Sequence, residues 1–127
     1  AMEALGFEPE IIGTELIEEG WHFEEHGEAV LDAEFGQGRL TDRSILCVND
    51  RVAIGAIRAA SRHGLVPGRA ASGGLRIAGH DDYPLCPYLN PALTAVSRII
   101  QMISGDVADA APEVTLFDGY LKLRESA

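Results

Sequence analysis

The sequence predicts an α/β fold, an open, mainly parallel sheet flanked by helices, and two observations lead there. Short apolar runs alternate with helical patterns at the spacing of βαβ units. Two of those runs also stop at side chains that can hydrogen-bond a polar ligand. Ile45-Leu46-Cys47-Val48 stops at Asn49-Asp50, and Leu75-Arg76-Ile77-Ala78-Gly79 stops at His80-Asp81-Asp82. In open parallel sheets ligands bind at the carboxyl ends of the strands. The matched junctions therefore point to a binding site.

The elements follow in order. Residues 1–7 read as a helix tail closed by Gly6, and residues 10–17 as a strand despite Gly13. A loop through Gly20, Trp21 and His22 leads to a helix over residues 24–35, ended by the Gly36 to Arg39 stretch. A strand over residues 44–49 comes next. Asp50 is the predicted N-cap of the following helix, since a carboxylate accepts the free amides of a first turn. That helix runs to about His63, where Gly64 supplies a left-handed stop and Pro67 blocks continuation. A strand over residues 75–79 precedes a stretch punctuated by Pro84, Pro87 and Pro91. Residues 93–96 predict a strand, residues 98–103 a short helix, and residues 114–117 and 120–123 further strands.

Length and composition set the class. The 127 residues fit one domain with a core. The 46% apolar and 24% charged content is ordinary for a globular protein. No apolar run approaches the ~20 residues of a membrane span, and no secretory leader is evident. The expected compartment is the cytoplasm, with no membrane partner. Cys47 and Cys86 form no CxxC pair, which suits a reducing compartment. Cys47, inside an apolar run, reads as a small buried hydrophobe. Cys86, between Leu85 and Pro87, reads as a surface thiol.

The formal net charge is −10, and residues 1–38 hold ten Glu and one Asp with no Lys or Arg. Such a surface repels phosphate backbones, so the chain alone is not a nucleic-acid binder. A solvated acidic face is the plain reading of the cluster, and cation binding is the alternative.

Asn49 offers a donor and an acceptor to a hydroxylated ligand, or it merely ends a strand. Of Asp81 and Asp82, neighbours on a turn, one is expected to serve a ligand and the other the fold; a turn held by its own hydrogen bonds is the competing reading. His22-Phe23-Glu24-Glu25-His26 spells H-x-x-E-H, in which His22 and His26 could hold zinc with Glu25 as base. Gly20 and Gly27 bracket it, however, and no third ligand is assignable. No nucleophile elbow, phosphate loop or dinucleotide fingerprint is present, because the glycine-rich Gly68 to Gly74 segment precedes a strand.

In order, several segments resemble the regulatory domain of LacI/GalR-type transcriptional regulators. They are Ile45 to Ala56, Gly64-Leu65-Val66-Pro67, Leu75 to Asp82, Asn90 to Val96 (with P-x-L-T-x-V) and Leu121 to Ser126 (with L-x-x-R-E-S). The last two separate this family from periplasmic sugar-binding proteins of the same fold, the first alternative reading. A zinc hydrolase on His22, Glu25 and His26 is the second. The resemblance implies one lobe of a type I periplasmic-binding-protein-like domain, with residues 1–127 as an incomplete C-terminal lobe. Asn49 and Asp81 would then hydrogen-bond a sugar or related polar effector, and His22 would stack on it or hydrogen-bond to it. Arg51, Ile54 and Tyr88 would contribute to a homodimer interface. The protein would not be an enzyme and would need no cofactor or metal. DNA would be reached only through a helix-turn-helix headpiece that this chain lacks. The stretch after Val96 is about a dozen residues shorter than the family's, so a truncated fragment is expected.

Overall fold

The computed structural model describes residues 4, 6, 8–13, 22–41, 43–68, 74–97 and 119–127. The order is α1 (Phe23–Gly36), β1 (Ser44–Leu46), α2 (Asp50–Arg62), β2 (Arg76–Asp81), a 3-10 turn (Cys86–Tyr88), β3 (Thr94–Ser97) and β4 (Tyr120–Lys122). The sheet runs β1-β2-β3-β4, parallel across the first three strands and antiparallel at β4. This is the open, mainly parallel α/β class read from the sequence. The expected strand over residues 44–49 stops at Leu46, after which the Cys47 amide continues the pairing by donating to the Ala78 carbonyl. Residues 10–13 form no strand, and the helix over 98–103 and the strands over 14–17 and 114–117 lie outside the described residues.

Both helices end as their glycines dictate. Gly38 and Gly64 have φ of 70°, the left-handed conformation that glycine adopts without steric cost. Paired amide-to-carbonyl bonds close each end: Arg39 to Glu34 with Gly38 to Phe35, and Leu65 to Ala60 with Gly64 to Ser61.

Helix α2 packs on β2 with one side and on α1 with another. Its inner positions are small, with Ala53, Ala56, Ala59 and Ala60 all fully buried, so the helix can lie close to its neighbours. The helices approach to backbone contact where Gly27 meets the Val52 carbonyl and Gly55 meets the Glu24 carbonyl. Leu31, Phe35, Ile57, Leu75, Ile77 and Leu93 fill the core around this crossing. Charge reinforces it. Glu24, Glu28 and Asp32 repeat every fourth residue on α1 and face Arg51, Arg58, Arg62 and His63. Part of the acidic segment read as a solvated face is thus one side of an interhelical ion-pair row.

The carboxyl terminus ties the strands together. Ser126 Oγ donates to the Ile77 carbonyl and accepts the Thr94 amide, while the Ser126 carbonyl accepts the Ile77 amide. Ser126 is fully buried between β2 and β3. The Arg124-Glu125-Ser126 motif is therefore a structural knot, a role its sequence did not announce.

Candidate functional site at the carboxyl ends of the strands

β1 and β2 are parallel neighbours, so their carboxyl ends lie on one edge of the sheet. Asn49 follows the first and Asp81 ends the second. The two junctions are bound to each other through Asp50. This residue is 1% exposed, and its Oδ2 accepts the Tyr83 amide at 2.5 Å. A Cβ at Gly79 would overlap Asp50 Oδ1, so only glycine fits at that position in β2.

The capping expectation is corrected here. Asn49, not Asp50, is the N-cap of α2: its backbone is extended, and its Oδ1 accepts the Val52 amide at 2.9 Å. Asp50 is one residue too far along and turns inward to the Tyr83 loop. The Asn49 carboxamide nitrogen is not consumed by the cap. Its acceptor therefore serves the fold, while its donor takes no partner among the described residues.

Burial raises the Asp50 carboxyl above the ordinary range, opposed by the Tyr83 amide and the nearby Cys86 thiol. Among the described residues its Oδ1 has no hydrogen-bond partner. Cys86, expected at the surface, is fully buried, because the turn at Cys86–Tyr88 directs the thiol inward under α2. The Cys86 amide donates to the Tyr83 carbonyl, and the Leu93 amide to the Cys86 carbonyl. Burial, with the Asp50 charge, pushes both Cys47 and Cys86 up to about 12. Neither thiol is an activated nucleophile.

Asp81 and Asp82 part company, as adjacent side chains must. Asp82 Oδ1 accepts Arg124 Nη2 at 2.6 Å, with both side chains mostly buried. Asp81 is exposed, and its polar side-chain contact among the described residues is with the His80 ring, at 3.1 Å. Both have positive φ, 110° and 59°. Aspartate reaches that region more readily than most residues, but it is costly outside glycine.

The H-x-x-E-H residues do not converge. His22 precedes α1 and pairs with Glu25 at 3.1 Å. His26 Nε2 instead meets the Gly13 carbonyl at 3.2 Å. Among the described residues no group of three or more His, Cys, Asp or Glu is placed to hold a metal ion. His22 lies in a groove of about 450 Å³ between α1 and α2, with Glu24, Arg51, Ile54 and Arg58 also on its walls. It is thus grouped with the residues expected at a dimer interface. Arg51 holds Glu24 through two bonds, of 2.6 and 2.7 Å, and stacks over Phe23. Tyr88 is 83% exposed. Asp50 and Arg124 were missed as site-supporting residues. Their signal was available only as polar residues placed in or beside apolar runs.

No family model matches the chain. The HTH-type transcriptional regulator MalR of Streptomyces coelicolor is 32% identical to it over 96 residues, 76% of this chain. A LacI-type transcription regulator from Bifidobacterium animalis superposes over 98% of this chain and 45% of its own, at TM-score 0.69 and 26% identity. The chain belongs to the LacI-type regulators. It spans about a quarter of the curated relatives it matches, 26% in the case of MalR. A LacI family regulator from Arthrobacter, solved in complex with lactose, is 26% identical at TM-score 0.61, over 81% of this chain and 41% of its own. The fold is accordingly the periplasmic-binding-protein-like one of LacI-type effector domains. No helix among the described residues is long and apolar enough to cross a membrane.

Proposed function

We propose that this chain is the C-terminal lobe of the effector-sensing and dimerisation domain of a cytoplasmic LacI-type transcriptional regulator, with no enzymatic role. Asn49 and Asp81 hydrogen-bond a sugar or similar polyhydroxylated effector. One observation carries the reading: in a LacI-type chain, Asn49 follows β1 and Asp81 ends the adjacent parallel β2, at the same edge of the sheet. The Asn49 carboxamide nitrogen donates to a hydroxyl while its oxygen caps α2, and the exposed Asp81 carboxylate accepts from one. His22, exposed at the start of α1, stacks on the ligand or hydrogen-bonds to it at the rim.

Arg51, Ile54 and Tyr88 belong to the dimer surface in this reading. Ile54, Leu89 and Asn90 share a shallow groove beside α2, floored in part by the core residue Ile57, which supports a contact surface there. DNA is reached through a headpiece outside these residues, since a net charge of −10 repels phosphate.

Nuclear magnetic resonance titration with a panel of mono- and disaccharides tests the effector assignment. Millimolar binding with shifts at Asn49 and residues 80–82 is expected, because a lone lobe supplies only half of a cleft's contacts. Micromolar affinity by calorimetry would contradict the half-site account. A mobility shift of DNA with this chain alone, persisting at moderate salt, would contradict the DNA assignment.

A further inference from the structure

We infer that Arg124 and Asp50 are positioning residues for effector recognition, clamping the turn that presents Asp81 from opposite sides. The inference rests on the reading that Asp81 is an effector contact. Two consecutive non-glycine residues, Asp81 and Asp82, have φ of 110° and 59°. Such conformations persist only where the surroundings over-determine them, and they cluster at ligand clamps.

Two anchors supply that constraint here, from distant parts of the sequence. Arg124, 42 residues beyond Asp82, donates Nη2 to Asp82 Oδ1 at 2.6 Å and Nη1 to the Leu93 carbonyl at 2.7 Å. Its own amide donates to Thr94 Oγ1 at 2.8 Å, so the guanidinium is fixed to β3 before it reaches the turn. On the other side, Asp50 Oδ2 accepts the Tyr83 amide, and Asp50 sits on the side-chain-free surface of Gly79. The Asp81 side chain itself takes its neighbour His80 as polar partner among the described residues. Its direction is therefore set by the residues after it. The same Asp50 directly follows Asn49, so the clamp also fixes the spacing between the two proposed contacts.

The groups facing this turn are Asp50, Asp81, Asp82 and Arg124, with the His80 ring and the Cys86 thiol beside them. Arg124 brings a positive charge into this acidic group. Removing it leaves Asp82 mostly buried without its partner, beside Asp50 and Asp81. The strained turn then relaxes while β2 and β3, held by Ser126, stay paired.

The test is amide hydrogen exchange and backbone chemical shift on the full chain, for Arg124→Gln, Arg124→Lys, Asp50→Asn and the control Glu125→Gln. Arg124→Gln is expected to move the Asp81 and Asp82 shifts toward extended values, with Ile77 and Ala95 still protected. Tyr83 amide exchange should quicken about tenfold in Arg124→Gln and Asp50→Asn, the scale of one charge-assisted hydrogen bond. Arg124→Lys should restore part of the turn, and Glu125→Gln should leave it unchanged. Unaltered Asp81 and Asp82 shifts in both Arg124→Gln and Asp50→Asn would overturn the inference. So would loss of the turn only together with all β2–β3 protection, since Arg124 would then hold the sheet alone. A parallel lactose titration separates the two claims. If lactose and the other sugars leave Asn49 and Asp81 unperturbed while the variants release the turn, the effector reading fails and the clamp stands.

Discussion

Asn49 carries two duties on one carboxamide, and substitution separates them. Asn49→Asp keeps the oxygen that caps α2 and removes the nitrogen that donates, so stability should hold while sugar-induced shifts vanish. Asn49→Ala loses both and should cost about 1 kcal/mol in urea denaturation. Equal stability of the two variants would contradict the cap. The thiols give a pH test. Both folded values stand at about 12 against an ordinary 9.0, so the folded state holds these protons more tightly. Their stabilising contribution is complete below pH 9 and is lost as pH rises toward 12, by up to about 1.4 kcal/mol per unit and per cysteine. Cys47→Ala with Cys86→Ala should flatten that slope. Native thiols should also react with an aromatic disulfide no faster than global opening allows, and a fast-reacting Cys86 would contradict its burial. At this scale the sequence was half legible. It singled out Asn49 and the Asp81-Asp82 pair by their place after apolar runs, but not which of the two aspartates is exposed, nor which of Asn49 and Asp50 caps. That depends on where the backbone turns helical, and one residue of shift decides it.

The element that matters most is the α1–α2 pair, joined at its glycines. A methyl group at Gly55 would overlap the Glu24 carbonyl, backbone that cannot step aside. Gly55→Ala should therefore cost about 3 kcal/mol or more, although alanine favours helix. A neutral result in thermal denaturation would show that the helices do not approach so closely. The flanking ion pairs behave differently. Arg58 is largely exposed where it meets Glu28, so Arg58→Ala should change stability by about 0.5 kcal/mol or less. Both helices and the strands β1 to β4 were legible to within three residues at each end, because periodicity and Gly64 marked them. The ion-pair row was not, though Glu24, Glu28 and Asp32 repeat at helical spacing. A charge stripe reads alike whether it faces water or a second helix.

For the whole molecule, LacI type and sheet order explain why two junctions 32 residues apart meet on one edge. Parallel pairing of β1 with β2 puts Asn49 and Asp81 at the same edge of the sheet, and a mainly parallel sheet was foreseeable from alternation of strand and helix. The Arg124 and Ser126 contacts were not, since they join the chain's end to its middle by bonds that no local pattern encodes. Exposed Leu46, Val48, Leu85 and Tyr88 leave apolar surface near these ends, which favours self-association. Sedimentation should show a dimer or larger, and Tyr88→Glu should shift it toward monomer. A monomer at high concentration in the unaltered chain would count against the dimer surface.

The central claim is that Asn49 and Asp81 are effector contacts on one sheet edge. Its most direct test is an amide shift map of the chain with lactose at millimolar concentration, beside Asn49→Asp and Asp81→Asn. The account predicts weak, saturable shifts centred on Asn49 and residues 80–82, abolished by either substitution. Shifts confined to the groove between α1 and α2, or shifts unchanged in both variants, would contradict it.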